Sequence, residues 1–325
     1  VSASQDIVFH TMGSDVRLIV DAALRPGAPS PTEAIWRERL YVEDFARRLS
    51  RFRPDSELSA LNRDPREEVP ASPLLRAAVA AGLWAAERSG GLVDPTLVGE
   101  IERAGYASSH DGVEPASLQE ALACAPPRAS AGPRADARWR LVEVDGERGT
   151  IRRPPGLMFD TGGTGKGLAA DAMARRLREH TRVVVDCGGD IAVGGIGLQL
   201  NPLSVEVEHP ISGERAHTLL LDGGGVATSG LNVRIWRGPH GFAHHLLDPA
   251  TGEPVWSGLV GATALAPTAL EAETLSKMAL LGGPERARAA LAEHGGLIVH
   301  DDGEVELIGL HEGGPGTLRG GMVAA

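Results

Sequence analysis

Between residues 7 and 20 apolar and polar positions alternate imperfectly on either side of Thr11-Met12-Gly13, and β-forming residues dominate. That period predicts two strands joined by a tight turn. Residues 25–31 form a proline-rich loop. From Thr32, a good N-cap behind Pro31, the apolar residues Ile35, Leu40, Phe45, Leu49 and Phe52 recur at roughly helical spacing until Pro54, which predicts a first helix. A second helix is expected over about 72–88, with Leu75, Val79, Leu83 and Ala86 on one face and Gly90-Gly91 beyond its end.

Residues 107–136 are rich in Ala, Pro and Ser and poor in β-branched and aromatic side chains, so they read as a variable excursion between lobes. Past Trp139 the pattern is strand-like through Leu141, Val142 and Val144. A glycine-rich turn, Asp160-Thr-Gly-Gly-Thr-Gly-Lys-Gly167, then leads into a third helix reaching about 179. A strand over 182–186 ends in Cys187-Gly-Gly-Asp190, and short strands with glycine-rich turns continue to Val260. Helices over 269–281 and 284–294 close the chain, with Gly282-Gly283 as the break between them. The expected architecture is α+β, a single domain over 1–325 whose lobes share a cleft.

A formal net charge of −11 removes the cationic footprint that nucleic acid or an anionic membrane surface requires, so neither is expected as a partner. No apolar stretch is long enough for a membrane span, and no basic segment followed by an apolar one opens the chain. A cytoplasmic location is expected. Because the chain begins at Val1, an exported form with a removed leader stays open. Cys124 and Cys187 are taken as thiols.

Only two of the basic side chains are lysines, Lys166 and Lys277. Where arginine meets nearly every need for positive charge, a retained lysine points to a use for its compact ammonium. Lys166 lies in the glycine-rich turn, where small residues let backbone N–H groups approach a phosphate at a helix start. The turn is not a P-loop: Asp160 stands where the first glycine belongs, and Gly167 where Ser or Thr should follow the lysine.

In order along the chain stand Thr11-Met-Gly13, Phe52-Arg-Pro-Asp-Ser-Glu-Leu-Ser-Ala-Leu-Asn62, Gly91-Leu-Val-Asp-Pro-Thr96, Phe159-Asp-Thr-Gly-Gly-Thr-Gly-Lys-Gly167 with Asp171, Cys187-Gly-Gly-Asp190, Ala227-Thr-Ser-Gly230 and His245-Leu-Leu-Asp-Pro-Ala-Thr-Gly252. This set resembles the bacterial FAD:protein FMN transferase family, the ApbE-type proteins, from about residue 7 to 295. The resemblance implies a T-fold-like arrangement of mixed, largely antiparallel sheets flanked by helices, with FAD in a cleft between two lobes. It implies transfer of FMN from FAD to a threonine hydroxyl of an acceptor protein, with release of AMP. It places Met12, Phe52, Leu92, Val93, Asp94, Asp160, Lys166, Thr228, Ser229 and Leu247 along the FAD. His245 becomes the general base, since imidazole titrates near neutrality and the motif faces the transferred phosphate. Adjacent strand residues point to opposite faces, so His244 is not expected to share a ligand with it.

The resemblance breaks at one place. The family's Mg²⁺ site is usually built from a C-terminal Ala-Asp-x-x-x-Thr helix and a backbone oxygen of the glycine-rich loop. Here the helix reads Ala272-Glu-Thr-Leu-Ser-Lys277, so the candidate metal residues are Gly163, Glu273 and Ser276, with Lys277 in place of the threonine. Mg²⁺ takes oxygen ligands in octahedral array, and an ammonium among them repels it. A Glu-to-Lys pair four residues apart is also favourable in its own right. The expectation is therefore a flavin transferase with weakened or absent Mg²⁺ binding, in which Lys277 and Lys166 stabilise the phosphates and the acceptor is a protein or a small-molecule hydroxyl. A non-catalytic flavin carrier and an FAD pyrophosphatase are the alternatives.

Overall fold

A computed structural model describes residues 4–238, 241–310 and 316–318. Strands β1 (Ser4–Thr11) and β2 (Ser14–Asp21) pair in unbroken register. Met12 and Gly13 close the hairpin with φ of 58° and 67°, the positive pair that a two-residue loop demands. Helix α1 (Pro31–Leu49) is capped by Ser30 rather than Thr32; the Ser30 hydroxyl accepts the Glu33 N–H, and Pro31 takes the first helical position. Ile35, Val42, Phe45 and Leu49 form its buried stripe, whereas Leu40 is 65% exposed and Phe52 lies beyond the helix end. Next come α2 (Glu57–Arg63), β3 (Glu68–Pro70) and α3 (Pro73–Arg88), the last close to the expected bounds and capped by Ser72.

Helices α4 (Val98–Arg103) and α5 (Leu118–Ala123) are too short to leave a periodic signal. Leu118, Ala121 and Ala131 of the 107–136 segment are buried against the larger of two apolar clusters. A 3₁₀ turn at Arg138–Leu141 replaces the start of the expected strand, leaving Leu141 mostly exposed. Strands β4 (Glu143–Asp145) and β5 (Thr150–Arg152) join β3 in a small sheet. The glycine-rich turn enters α6 (Gly165–Arg176), shorter than expected, and β6 (Val183–Cys187), β7 (Asp190–Gly194) and α7 (Gly197–Leu200) follow. Strands β8 (Leu203–Glu208), β9 (Arg215–Leu221), β10 (Gly224–Gly230), β11 (Ile235–Gly238), β12 (Gly241–His244) and β13 (Leu259–Ala266) precede the long α8 (Ala269–Leu291). Strands β14 (Gly296–His300), β15 (Val305–Ile308) and β16 (Gly316–Leu318) close the described chain.

The main sheet runs β1-β2-β6-β7-β10-β13-β14-β15 with antiparallel neighbours throughout, and β16 beside β9 is the one parallel pair among the described residues. With α1, α6 and α8 packed on it, this is the expected α+β, largely antiparallel fold. Both faces of its centre are covered, and the side-chain period of two divides them. Val183, Val185 and Ala192 belong to one apolar cluster, while Val184, Ile191 and Val193 belong to the other. Central strands buried on both faces read as continuous apolar runs, as 183–185 does. Gly283, at φ 75° and ψ 179°, interrupts α8 where the glycine pair predicts a break. The two halves thus keep separate directions, and the first carries Glu273, Ser276 and Lys277 inward.

Candidate active site

A pocket opens where α3, the loop before α4, the glycine-rich turn, the turn after β12 and the first half of α8 converge. Leu92, Val93, Leu97, Ile101, Leu246, Leu247 and Leu281 make its wall apolar, and Asp94, Tyr106, Asp160, Arg234, His245 and Lys277 supply the polar groups. Apolar walls with a few convergent polar groups are the usual composition of a small-molecule site. Leu92, Val93, Asp94, Asp160, Gly163, His245, Leu247 and Lys277, all singled out in the sequence, share this lining.

His245 follows β12 directly. Its Nδ1 lies 3.4 Å from the Arg234 carbonyl oxygen, which can only accept, so Nδ1 carries the proton and Nε2 is left as an acceptor. Burial, with the positive charges of Arg234 and Lys277 nearby, holds its pKa well below the usual histidine value. The imidazole is therefore neutral at physiological pH. His244 turns away from it and is buried: Nε2 donates to the Val255 carbonyl at 2.9 Å and Nδ1 accepts the Leu246 N–H at 3.3 Å. Burial lowers its pKa to about 4.

Behind the pocket lie two lysine–carboxylate pairs. Lys277 Nζ donates to Glu273 Oε1 at 2.9 Å, one turn away on α8, and Glu273 Oε2 accepts the Gly167 N–H at 2.9 Å. Burial raises the Glu273 pKa to about 7, against the pull of the Lys277 charge. Lys166 Nζ lies 2.7 Å from Asp190 Oδ2 and donates to the Gly188 carbonyl at 3.2 Å. Burial alone would lower its pKa, but the Asp190 and Glu273 charges hold it above the ordinary value. Asp190, the last residue of the Cys187-Gly-Gly-Asp190 motif, thus serves as the partner of Lys166. Asp248 does form a turn, accepting the Ala250 N–H at 3.0 Å.

The candidate metal residues do not fit Mg²⁺ as they stand. Both Glu273 oxygens are engaged, one of them by an ammonium, and the Ser276 hydroxyl is bonded to Ser229 Oγ at 2.8 Å and to the Glu273 carbonyl at 3.0 Å. Among the described residues no cluster of three or more His, Cys, Asp or Glu side chains is arranged to hold a metal.

Met12, Phe52, Thr228 and Ser229, also expected at the flavin, lie outside this lining. Met12 sits in the hairpin turn and packs on the N-terminal apolar cluster. Phe52 meets the Tyr106 ring edge-on at 5.4 Å between centroids. Thr228 bonds Thr263 across the strands at 2.9 Å, and Ser229 is committed to Ser276. Asp160 does not cap α6. It accepts the Gly162 N–H at 3.0 Å and lies 3.3 Å from Arg51 Nε, so it pins the loop to the end of α1. Asp94 gives one oxygen to the N–H and hydroxyl of Thr96; its other oxygen is buried without a protein partner, and burial raises its pKa.

Three polar contributors escaped the sequence reading. Arg234 donates to the Tyr106 hydroxyl and reaches the Gly13 carbonyl at 3.4 Å, tying β11 to the first hairpin. Tyr106 stacks on Trp236 at 5.4 Å. Arg51 covers the rings of Phe52 and Tyr106 at 4.1 and 4.9 Å. The chain has only two tyrosines, so the scarcity that drew attention to the lysines would have found Tyr106. Arg234 and Arg51, among so many arginines, carry no such mark.

The ApbE family profile matches residues 12–299, and the chain belongs to that family. Among curated relatives, the FAD:protein FMN transferase of Klebsiella pneumoniae is 28% identical over 255 residues, 77% of this chain and 71% of the relative. That of Escherichia coli K12 is 32% identical over 145 residues, 43% and 41% of the two chains. The crystal structure of the ApbE protein of Thermotoga maritima superposes with a TM-score of 0.76 at 22% identity, covering 94% of this chain and 97% of that one. The apo flavinyl transferase ApbE of Pseudomonas stutzeri gives 0.73 at 22% identity, with 94% of each chain covered. Such distant structures establish the fold. No described helix is long and apolar enough to cross a membrane.

Proposed function

We propose that this chain is a flavin transferase that moves FMN from FAD to a hydroxyl acceptor, releases AMP and works without Mg²⁺. The observation that carries the reading is the meeting, in one apolar pocket, of a neutral His245 with a free Nε2 and the ammonium of Lys277. His245 Nε2 takes the proton of the acceptor hydroxyl, whose oxygen bonds to the FMN phosphorus as the bond to the AMP phosphate breaks. Lys277 and Arg234 face the charge that develops on the pyrophosphate. Leu92, Val93, Asp94, Asp160 and Leu247 hold the dinucleotide, with Asp94 offering its unpartnered oxygen to a ligand donor. Met12 and Phe52 support that pocket from behind, and Lys166, through Asp190, stiffens the loop that meets the phosphates. The named activity of the relatives supports the reaction, and the Glu273–Lys277 pair supports metal independence.

Incubating the protein with FAD and an acceptor, in EDTA or Mg²⁺, and resolving FMN, AMP and flavinylated acceptor tests this directly. Transfer in EDTA is expected. Free FMN and AMP without adduct would make the protein a pyrophosphatase, and unchanged FAD that stays bound would make it a carrier. Calorimetry should show tighter binding of FAD than of FMN; equal affinities would remove the AMP half from the pocket.

A further inference from the structure

We propose that Arg51 is a positioning residue for FAD, a single guanidinium that sets the glycine-rich turn and the loop after α4 against each other as two sides of the dinucleotide pocket. The inference rests on the pocket being the flavin site and adds a residue that does not itself line it. Arg51 stands in the turn between α1 and α2, where Ser59 Oγ donates to its carbonyl at 3.3 Å. Its side chain is only 5% exposed. Nε lies 3.3 Å from Asp160 Oδ2, and Nη2 donates to the Tyr106 carbonyl at 2.6 Å. Asp160 and Tyr106 belong to segments far apart in the chain, and both line the pocket. The guanidinium carbon also lies over the rings of Phe52 and Tyr106.

The chemistry of this contact calls for arginine. A planar fork with five donors serves a carboxylate on one edge and a carbonyl on another while its faces rest on aromatic rings, which a compact ammonium cannot do. A scaffold alone does not require it. Nη1 is buried without a hydrogen-bond partner, with Glu102 Oε1 standing 3.9 Å away. A guanidinium buried with donors unmet lowers stability, and well-packed apolar side chains of similar size often do better. What Arg51 adds is position. Tyr106 is held at its carbonyl by Arg51 and at its hydroxyl by Arg234, with its ring stacked on Trp236. The other Asp160 oxygen accepts the Gly162 N–H, so the glycine-rich turn follows wherever Arg51 holds Asp160. His245 and Lys277 are held by other groups, the Arg234 backbone and Glu273 of α8. Loss of Arg51 therefore reaches the walls that bind the dinucleotide before it reaches the reacting groups.

Calorimetry and transfer kinetics on the full chain, well below its melting transition, test the role. Arg51→Met should raise the Kd and KM for FAD about tenfold, the scale of one hydrogen bond to a charged group. Its kcat at saturating FAD should stay near the wild-type value, the pattern of binding lost equally from ground and transition states. A purely structural arginine would instead lower the melting temperature and leave KM unchanged, and that outcome would overturn the proposal. Arg51→Met combined with Asp160→Asn should bind FAD no worse than the poorer single variant, because neighbours in one network are not additive; losses that multiply would overturn the part assigned to Asp160. Arg51→Lys covers the case of a Met variant that does not fold. It keeps the charge but cannot reach Asp160 and the Tyr106 carbonyl together, so it should lose part of the affinity, and a lysine variant with wild-type Kd would overturn the proposal. A wild-type chain that does not bind FAD would overturn the reading of the pocket and this inference with it, whereas equal FAD binding by wild type and Arg51→Met would overturn the role of Arg51 alone.

Discussion

Lys166 and Lys277 each stand beside a buried carboxylate, at 2.7 and 2.9 Å, yet only Lys277 lines the pocket. Lys166 pairs its charge with Asp190 and donates a hydrogen bond to the Gly188 carbonyl, and so ties α6 to the turn between β6 and β7. Lys277 shares its charge with a residue of its own helix, which keeps it on α8 and facing the ligand space. The same residue type, equally scarce in the chain, serves in one case to bind the scaffold and in the other to place charge at the reaction. Both partners are buried, so the loss of either lysine leaves a carboxylate unpaired inside the protein, and the loss of Lys277 also takes a charge from the pocket wall.

The comparison can be broken in four ways. His245→Ala should lower the transfer rate about 10²–10⁴-fold while FAD affinity changes little, since the base acts on the acceptor; a mutant with wild-type kcat at saturating FAD would take the pocket's histidine out of the chemistry. Lys166→Met should cost roughly 3 kcal/mol of stability in denaturant titrations, because Asp190 is left buried and unpaired. If it instead keeps its stability and loses FAD affinity, Lys166 belongs with Lys277. Lys277→Thr should weaken FAD binding about tenfold in EDTA, roughly 1.4 kcal/mol, through the loss of one positive charge near two phosphates. Adding Glu273→Asp should make activity depend on Mg²⁺. Wild-type enzyme inhibited by EDTA would reduce Lys277 to a structural ion pair.

A further prediction concerns pH. His244 and His245 have folded pKa values below the unfolded value, so between the two the unfolded chain binds more protons. Their contribution is fully present above about pH 6.5 and declines as pH falls toward about 4 for His244, by about 1.4 kcal/mol per pH unit for each group. Denaturation midpoints at pH 7 and 5.5 should show that slope, and His244→Asn should flatten part of it.

How far the chain can be read without its structure follows from the range of each signal. The β1–β2 hairpin, the extent of α3 and the break in α8 rest on local chemistry, namely glycine conformations and a period, and all are legible. The start of α1 was misplaced by two residues because Ser30 and Thr32 are both good caps and only the folded chain chooses between them. Around the pocket, Leu92, Val93, Asp94 and His245 lie within recognisable motifs. Arg234, Arg51 and Tyr106 join the pocket or its rim through contacts more than fifty residues away in sequence, which no local pattern encodes. The Asp190–Lys166 pair was hidden in the same way, since each residue alone looks like part of a turn.

Helices α6 and α8 touch at Gly167, where a Cβ would come within 2.7 Å of the Ala269 carbonyl oxygen while the N–H reaches Glu273. That crossing acts as a ruler cut to the length of a glutamate. An aspartate at 273 is one methylene shorter and would release either the Gly167 N–H or Lys277, and a threonine at 277 would leave Glu273 buried without its counter-charge. Each exchange made alone passes through a poorer protein. The two positions are therefore coupled, and a change at either one acts through the spacing of the helices as much as through its charge.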